Sequence, residues 1–198
     1  MHKLFKGPKI KNIMISGLEF RRQLLHMGFG IFLIIMLYLG FFNVYHLMGI
    51  LILGYTASQL CKRYRVPIAS WVMDRFEREE YRKTFPGKGP IFFMIGSILV
   101  VFFFPLKIAL ASMLMLSVGD ALSHIFGKML SKTTYKYLKS VEGTVVGIVF
   151  SFLGALIFVD VALALWGSVI AMGLEGFDFG FDDNLYIPIV AAIVMSLI

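Results

Sequence analysis

Residues 119–147 read GDALSHIFGKMLSKTTYKYLKSVEGTVVG, a polar segment set between long apolar runs, and that contrast decides the fold class. Asp120 stands about ten residues inside the apolar run that ends at Leu130. His124, Lys128, Lys139 and Glu142 follow close to the ends of such runs. Charge at that depth is costly unless compensated, and it usually marks function. The rest of the 198-residue chain has the same character: 59% of its residues are hydrophobic and 16% charged, with a mean hydropathy of +0.83. A soluble core could not bury that many apolar side chains. The expectation is one all-α domain over residues 1–198, a polytopic transmembrane helix bundle.

Working outward, Leu24–Phe42 can span the hydrocarbon layer, which takes about 20 residues of helix. Glu19, Arg22 and His26 share one face of the helix that enters it. That spacing suits an ion pair with a buried histidine as well as a functional site. Tyr45–Leu60 is a second run, closed by Cys61-Lys62-Arg63. Pro67–Phe85 is too polar to span. Its apolar side (Ile68, Trp71, Val72, Phe76) and its i,i+4 pairs (Asp74/Arg78, Glu79/Lys83) predict a cytoplasmic interfacial helix at headgroup level. Lys83-Thr84-Phe85-Pro86-Gly87 begins a basic, turn-rich connector. Ile91–Phe104, stopped by Pro105, and Ile108–Leu130 are the next runs.

After the polar link Ser131–Tyr137, residues 145–174 are apolar apart from Asp160. One helix of about thirty residues would measure about 45 Å, so two short spans turning at Asp160 are expected instead. An acidic link, Glu175–Asn184, and a final run, Ile187–Ile198, bring the expected count to about seven spans.

With the N-terminus cytoplasmic, eighteen of the nineteen Lys and Arg residues fall on one side and Lys107 alone on the other. The positive-inside tendency predicts that orientation. It gathers acids and bases from several links at the cytoplasmic boundary. The net charge of +7 has no polar domain behind it that could bind nucleic acid, so it faces anionic lipid and an anionic substrate. Cys61 is the single cysteine, which excludes a disulfide framework and a multi-thiolate zinc site. The basic tail (Lys3, Lys6, Lys9, Lys11) lacks a cleavage pattern, so the first span is expected to stay as an anchor.

No Walker loop, dinucleotide fingerprint, protein-kinase motif set or zinc motif is present. What remains is carboxylates and lysines near glycine turns. Carboxylates suit Mg²⁺, while lysines and exposed backbone N–H groups suit phosphate. Phosphoryl-group transfer needs that electrostatic arrangement, and at this depth its acceptor is a lipid headgroup.

Gly119-Asp120-Ala121, Gly127-Lys128 and Lys139-Ser140-Val141-Glu142-Gly143-Thr144 together resemble the signature of the CTP-dependent polyprenol kinase family. That family includes dolichol kinase, phytol kinase and the CTP-using diacylglycerol kinase, and it is distantly similar to CDP-diacylglycerol synthases. Glu19, Arg22, His26 and Gly30 resemble its first-helix pattern, Lys83–Gly87 its turn before the third span, and Asp182-Asp183-Asn184 with Pro188 its C-terminal element. The likeness runs in order along nearly the whole chain. Lys128 and Ser131 stand where the pattern has Arg and a second Gly, so the charge is kept and the bidentate fork lost.

The resemblance implies CTP as phosphoryl donor, Mg²⁺ as cofactor and a lipid alcohol as acceptor. It implies Asp120, Glu142 and Asp183 at the metal, and Asp120, Lys139, Glu142 and His26 as the catalytic set. Gly119, Lys83, Gly127, Lys128, Ser140, Gly143, Thr144 and Asn184 are the implied nucleotide contacts. Each has a plainer alternative: Ser140 as a helix cap, Gly143 and Gly147 as helix-packing positions, Lys128 as a membrane anchor, and His124 as a partner of Asp120. A cytidylyltransferase acting on a phospholipid, or a small transporter or scaffold, are the competing functions. Self-association into a homo-oligomer is left open.

Overall fold

The computed structural model describes residues 15–130, 140–176, 180 and 182–198, the side chain of Lys83 excepted. Every regular element among them is a helix: α1 (Gly17–Tyr38), α2 (Val44–Cys61), α3 (Pro67–Phe76), α4 (Glu79–Thr84), α5 (Lys88–Phe103), α6 (Leu106–Leu114), α7 (Ala121–Leu130), α8 (Val141–Ala155), α9 (Val161–Glu175) and α10 (Asp183–Leu197). A π-helical segment, Met115–Asp120, joins α6 to α7, and the three run on as one helix, Leu106–Leu130. The all-helical bundle is the class that the apolar runs predict. Three helices, α1, α2 and Leu106–Leu130, are long and apolar enough to cross a membrane, and α5, α8, α9 and α10 are shorter apolar helices.

Local chemistry sets the boundaries. The Ser16 hydroxyl accepts the Glu19 N–H at 3.2 Å, so α1 starts well before its apolar run. Gly40, at φ +76°, stops it short of Phe42. Asp160 breaks the long 145–174 stretch as expected, accepting the N–H groups of Ala162 and Leu163 at 3.1 Å each to start α9. In α10, Pro188 has no N–H to give the Asn184 carbonyl. That carbonyl lies against Gly96 of α5, where a Cβ would come within 2.7 Å of it.

Leu106–Leu130 forms the centre of the bundle, with Met113, Met115 and Leu116 fully buried. Around it pack α1, α5, α8 and α10, while α2 lies outside against α5 and α3. Ile52, Leu53 and Tyr55 on α2 are exposed, as a face in contact with lipid should be.

One expectation fails. Pro67–Phe85 is not a single helix, because Glu77 and Arg78 are extended between α3 and α4. The turn that would join Asp74 to Arg78 is therefore absent. Asp74 pairs with Arg82 instead, and Arg78 turns towards α1. The expected Glu79/Lys83 pair involves a side chain outside those described.

Candidate functional site

The starts of α1, α5, α7 and α10 and the second half of α2, with α3 and α4, surround a cavity of ≈ 790 Å³ at one end of the bundle. Arg22, His26, Arg78, Lys88, Asp120 and Asp183 line its polar part. Phe29, Leu51, Val72, Met73, Phe93 and Met94 continue the wall as hydrocarbon. The cavity therefore suits an amphiphile with a charged head.

Two of its cations are held in place by one carboxylate. Glu19, 4% exposed, accepts from Arg22 Nη2 at 2.6 Å, from Arg78 Nη2 at 3.0 Å and from Gln23 Nε2 at 3.1 Å. Burial opposes the charge on Arg78, but the Glu19 carboxylate more than restores it and holds the guanidinium pKa above its ordinary value. Two arginines, each fixed through one terminal nitrogen, Nη2, can present their remaining N–H groups to phosphate oxygens. Lys88 adds a third cation, 3.6 Å from Asp182 at the start of α10. The connector before α5 is fastened by Glu77, whose Oε2 accepts the Gly87 N–H at 2.8 Å. Burial pushes the Glu77 carboxyl pKa up. Gly87 sits at φ +69°, a conformation open to glycine at little cost.

Asp120 ends the π-helical segment and is 5% exposed. A π turn is uncommon and often marks a functional position. Ser151 Oγ satisfies the Met115 carbonyl within that turn at 3.2 Å. His124 Nε2 lies 3.3 Å from Asp120 Oδ1. Glu175, 1% exposed at the end of α9, accepts from Ser123 Oγ at 3.0 Å. One ligand atom each of Asp120, His124 and Glu175 fall within 4.8 Å of one another. Two carboxylates and an imidazole make a donor set that fits a divalent cation, with the nitrogen ligand favouring Mn²⁺ relative to an all-oxygen site.

Four of the expected residues, His26, Asp120, Asp183 and Asn184, line the cavity. His26 packs edge-on against Phe93, ring centroids 5.1 Å apart, and its Nε2 has no hydrogen-bond partner among the described residues. Glu142, Ser140, Gly143, Thr144, Gly119, Gly127 and Lys128 do not line it. Ser140 caps α8 by accepting the Gly143 N–H at 2.9 Å, and the Thr144 hydroxyl donates to the Ser140 carbonyl. Gly143 is a packing position, for a Cβ there would lie 2.7 Å from the Ser123 carbonyl and 2.8 Å from Gly127 Cα. Gly119 likewise packs against Ser151 and Met172. Lys128 is exposed near the end of α7. Lys139 and the link from Ser131 lie outside the described residues, as do the side chain of Lys83 and the basic tail. Arg78 and Lys88 line the cavity although no motif singles them out, and Glu175, expected only as a polar residue at the same boundary or a helix cap, stands beside Asp120. Glu175 had the one available signal, a lone acid closing an apolar run.

An all-helical bundle with three helices long and apolar enough to cross a membrane, and a cavity lined by charged residues at one end, defines the class as a helical membrane protein. The chain is 30% identical over 187 residues to "Uncharacterized protein MJ1137" of Methanocaldococcus jannaschii, a match covering 90% of this chain and 93% of that protein. It belongs to the family of that protein. No known family's sequence profile matches the chain, and no solved structure matches it.

Proposed function

We propose that the protein is a CTP-dependent lipid-alcohol kinase that transfers the γ-phosphoryl group of CTP to an isoprenoid alcohol at the cytoplasmic face of the membrane. The observation that carries this reading is the cavity itself, where Asp120, Asp183, Arg22, Arg78 and Lys88 stand at one end of a hydrocarbon-walled space. The ordered motif resemblance supports it, and the choice of CTP rests on that resemblance alone. In this reading the seven apolar helices are seven crossings, with the N-terminus cytoplasmic and α3 and α4 lying along the interface. The eighteen Lys and Arg residues that fall on one side support that orientation.

Asp120, with His124 and Glu175 beside it or Asp183 across the cavity, would hold the divalent cation. Bound there, Mg²⁺ would neutralise charge on the phosphate oxygens. Arg22, Arg78 and Lys88 bind the same oxygens and draw charge towards the leaving side. The alcohol oxygen forms the new bond to the γ-phosphorus, and the bond to the β,γ-bridging oxygen breaks with its electron pair leaving on CDP. His26 takes the hydroxyl proton, which its Nε2 can accept at the cavity wall.

The test is binding. CTP with Mg²⁺ should raise the melting temperature of the purified protein, and either component alone should raise it less. No Mg²⁺-dependent shift with CTP would favour a transporter or scaffold.

A further inference from the structure

We propose that the slot between α1 and α2 is the channel for the acceptor's hydrocarbon chain, and that Gly54 sets the girth of chain it admits. The inference rests on the lipid-alcohol reading above. The two helices follow one another in sequence but do not pack together along their lengths: α1 lies on α3, α6, the π segment and α7, and α2 on α5 and α3. The space between them belongs to the cavity. Leu25 and Phe29 line it from α1, and Leu51, Gly54 and Ala57 line it from α2 as a stripe with helical spacing. Phe93 and Met94 of α5 and Val72 and Met73 of α3 line the same cavity.

Its outer edge is apolar and open. Leu25 is 40% exposed, and Gly54 is exposed at the level of the lipid-facing Ile52 and Leu53. Polar head groups at one end, a greasy slot continuous with them, and an edge open along the lipid-facing surface fit one occupant: an amphiphile whose head reaches His26 and Asp120 while its tail stays in hydrocarbon. A soluble alcohol would need no such edge. The width of the slot is set by what is missing at Gly54. A Cβ built there meets nothing within 4 Å, although the residue lines the cavity. A larger side chain would therefore project into the channel without displacing a packed neighbour. Gly49, one stripe away on the same helix, also has open space at its Cβ but does not line the cavity, which makes it the matched control.

The experiment compares wild type, Gly54→Leu and Gly49→Leu as purified full-length proteins with two readouts. The first is the ratio of phosphate transferred to a long polyprenol and to geraniol. The second is photolabelling by a diazirine-bearing polyprenol, with unlabelled polyprenol as competitor and the labelled peptides mapped. Gly54→Leu should lower the polyprenol-to-geraniol ratio by about tenfold or more, and Gly49→Leu should leave it unchanged. Competed label should fall on the α1 and α2 slot residues and be lost in Gly54→Leu. An unchanged ratio, or competed label that maps elsewhere, would overturn the channel. Equal loss with both alcohols leaves the ratio unchanged and overturns it too. If wild type phosphorylates neither alcohol but the label falls in the slot and disappears in Gly54→Leu, the kinase reading fails and the channel stands.

Discussion

Arg78 Nη2 sits 3.0 Å from Glu19 Oε2, an ion pair that bridges 59 residues of chain and ties the α3–α4 segment to the first helix. The same carboxylate holds Arg22, so Glu19 is a positioning residue for two cavity cations. Glu19→Gln keeps the shape and removes the charge. Because the arginines are part exposed, it should cost about 1–2 kcal/mol of stability rather than the full value of a buried pair. It should raise KM for CTP by about tenfold with a smaller change in kcat, and Glu19→Asp should restore part of the affinity. An equal fall in kcat with KM unchanged would contradict the positioning role.

The pair of Asp120 and His124 on one helical turn, with Glu175 beneath, predicts a divalent-cation requirement that mutation can grade. Asp120→Asn should lower activity at least about a hundredfold with membrane yield intact, and Glu175→Gln should raise the Mg²⁺ concentration for half-maximal activity about tenfold. Glutamine can still accept from Ser123, so the fold is spared. An active Asp120→Asn protein would remove the residue from the site.

Where α8 crosses α7, Gly143 faces backbone atoms that cannot move aside. Gly143→Ala should destabilise the protein by about 1–3 kcal/mol, read as a lower melting temperature in detergent. A variant that melts with wild type would restore the phosphate-contact reading of this glycine.

Glu77 gives a pH signature. Burial raises its folded pKa above the ordinary 4.5, so the native state holds the proton more tightly than the unfolded chain. The stability this contributes is full below the unfolded pKa and is lost as pH rises through the folded value. Glu77→Gln still accepts the Gly87 N–H and lacks the titration. Its melting temperature relative to wild type should rise as pH climbs from the ordinary carboxyl range through the raised folded value and then level off. A difference that does not vary with pH would show that Glu77 does not titrate in this range.

Much of the architecture was legible because apolar runs and breakers act locally. The turn at Asp160 followed from helix length and one capping acid. Asp120 and His26 stood out because charge or polarity in an apolar run is conspicuous. The break at Glu77 was not legible, since 67–85 holds no internal Pro or Gly and the partners made there, Gly87 for Glu77 and Glu19 for Arg78, are distant in sequence. The π turn has no sequence signature, and nothing local says that Glu175, closing one apolar run, will reach Ser123 on another helix. Spacing alone does not separate helix packing from phosphate contact at the motif glycines, and the packing at Gly119 and Gly143 becomes visible only once α7, α8 and α9 are set side by side.

The central claim is γ-phosphoryl transfer from CTP to a lipid alcohol. The most direct measurement supplies the purified protein with Mg²⁺, a mixture of polyprenols, phytol and diacylglycerol, and CTP labelled at either the α- or the γ-phosphorus. Label should enter an isoprenoid alcohol from the γ position only, and be lost in Asp120→Asn. Label from the α position, with pyrophosphate released, would contradict it and make the protein a cytidylyltransferase.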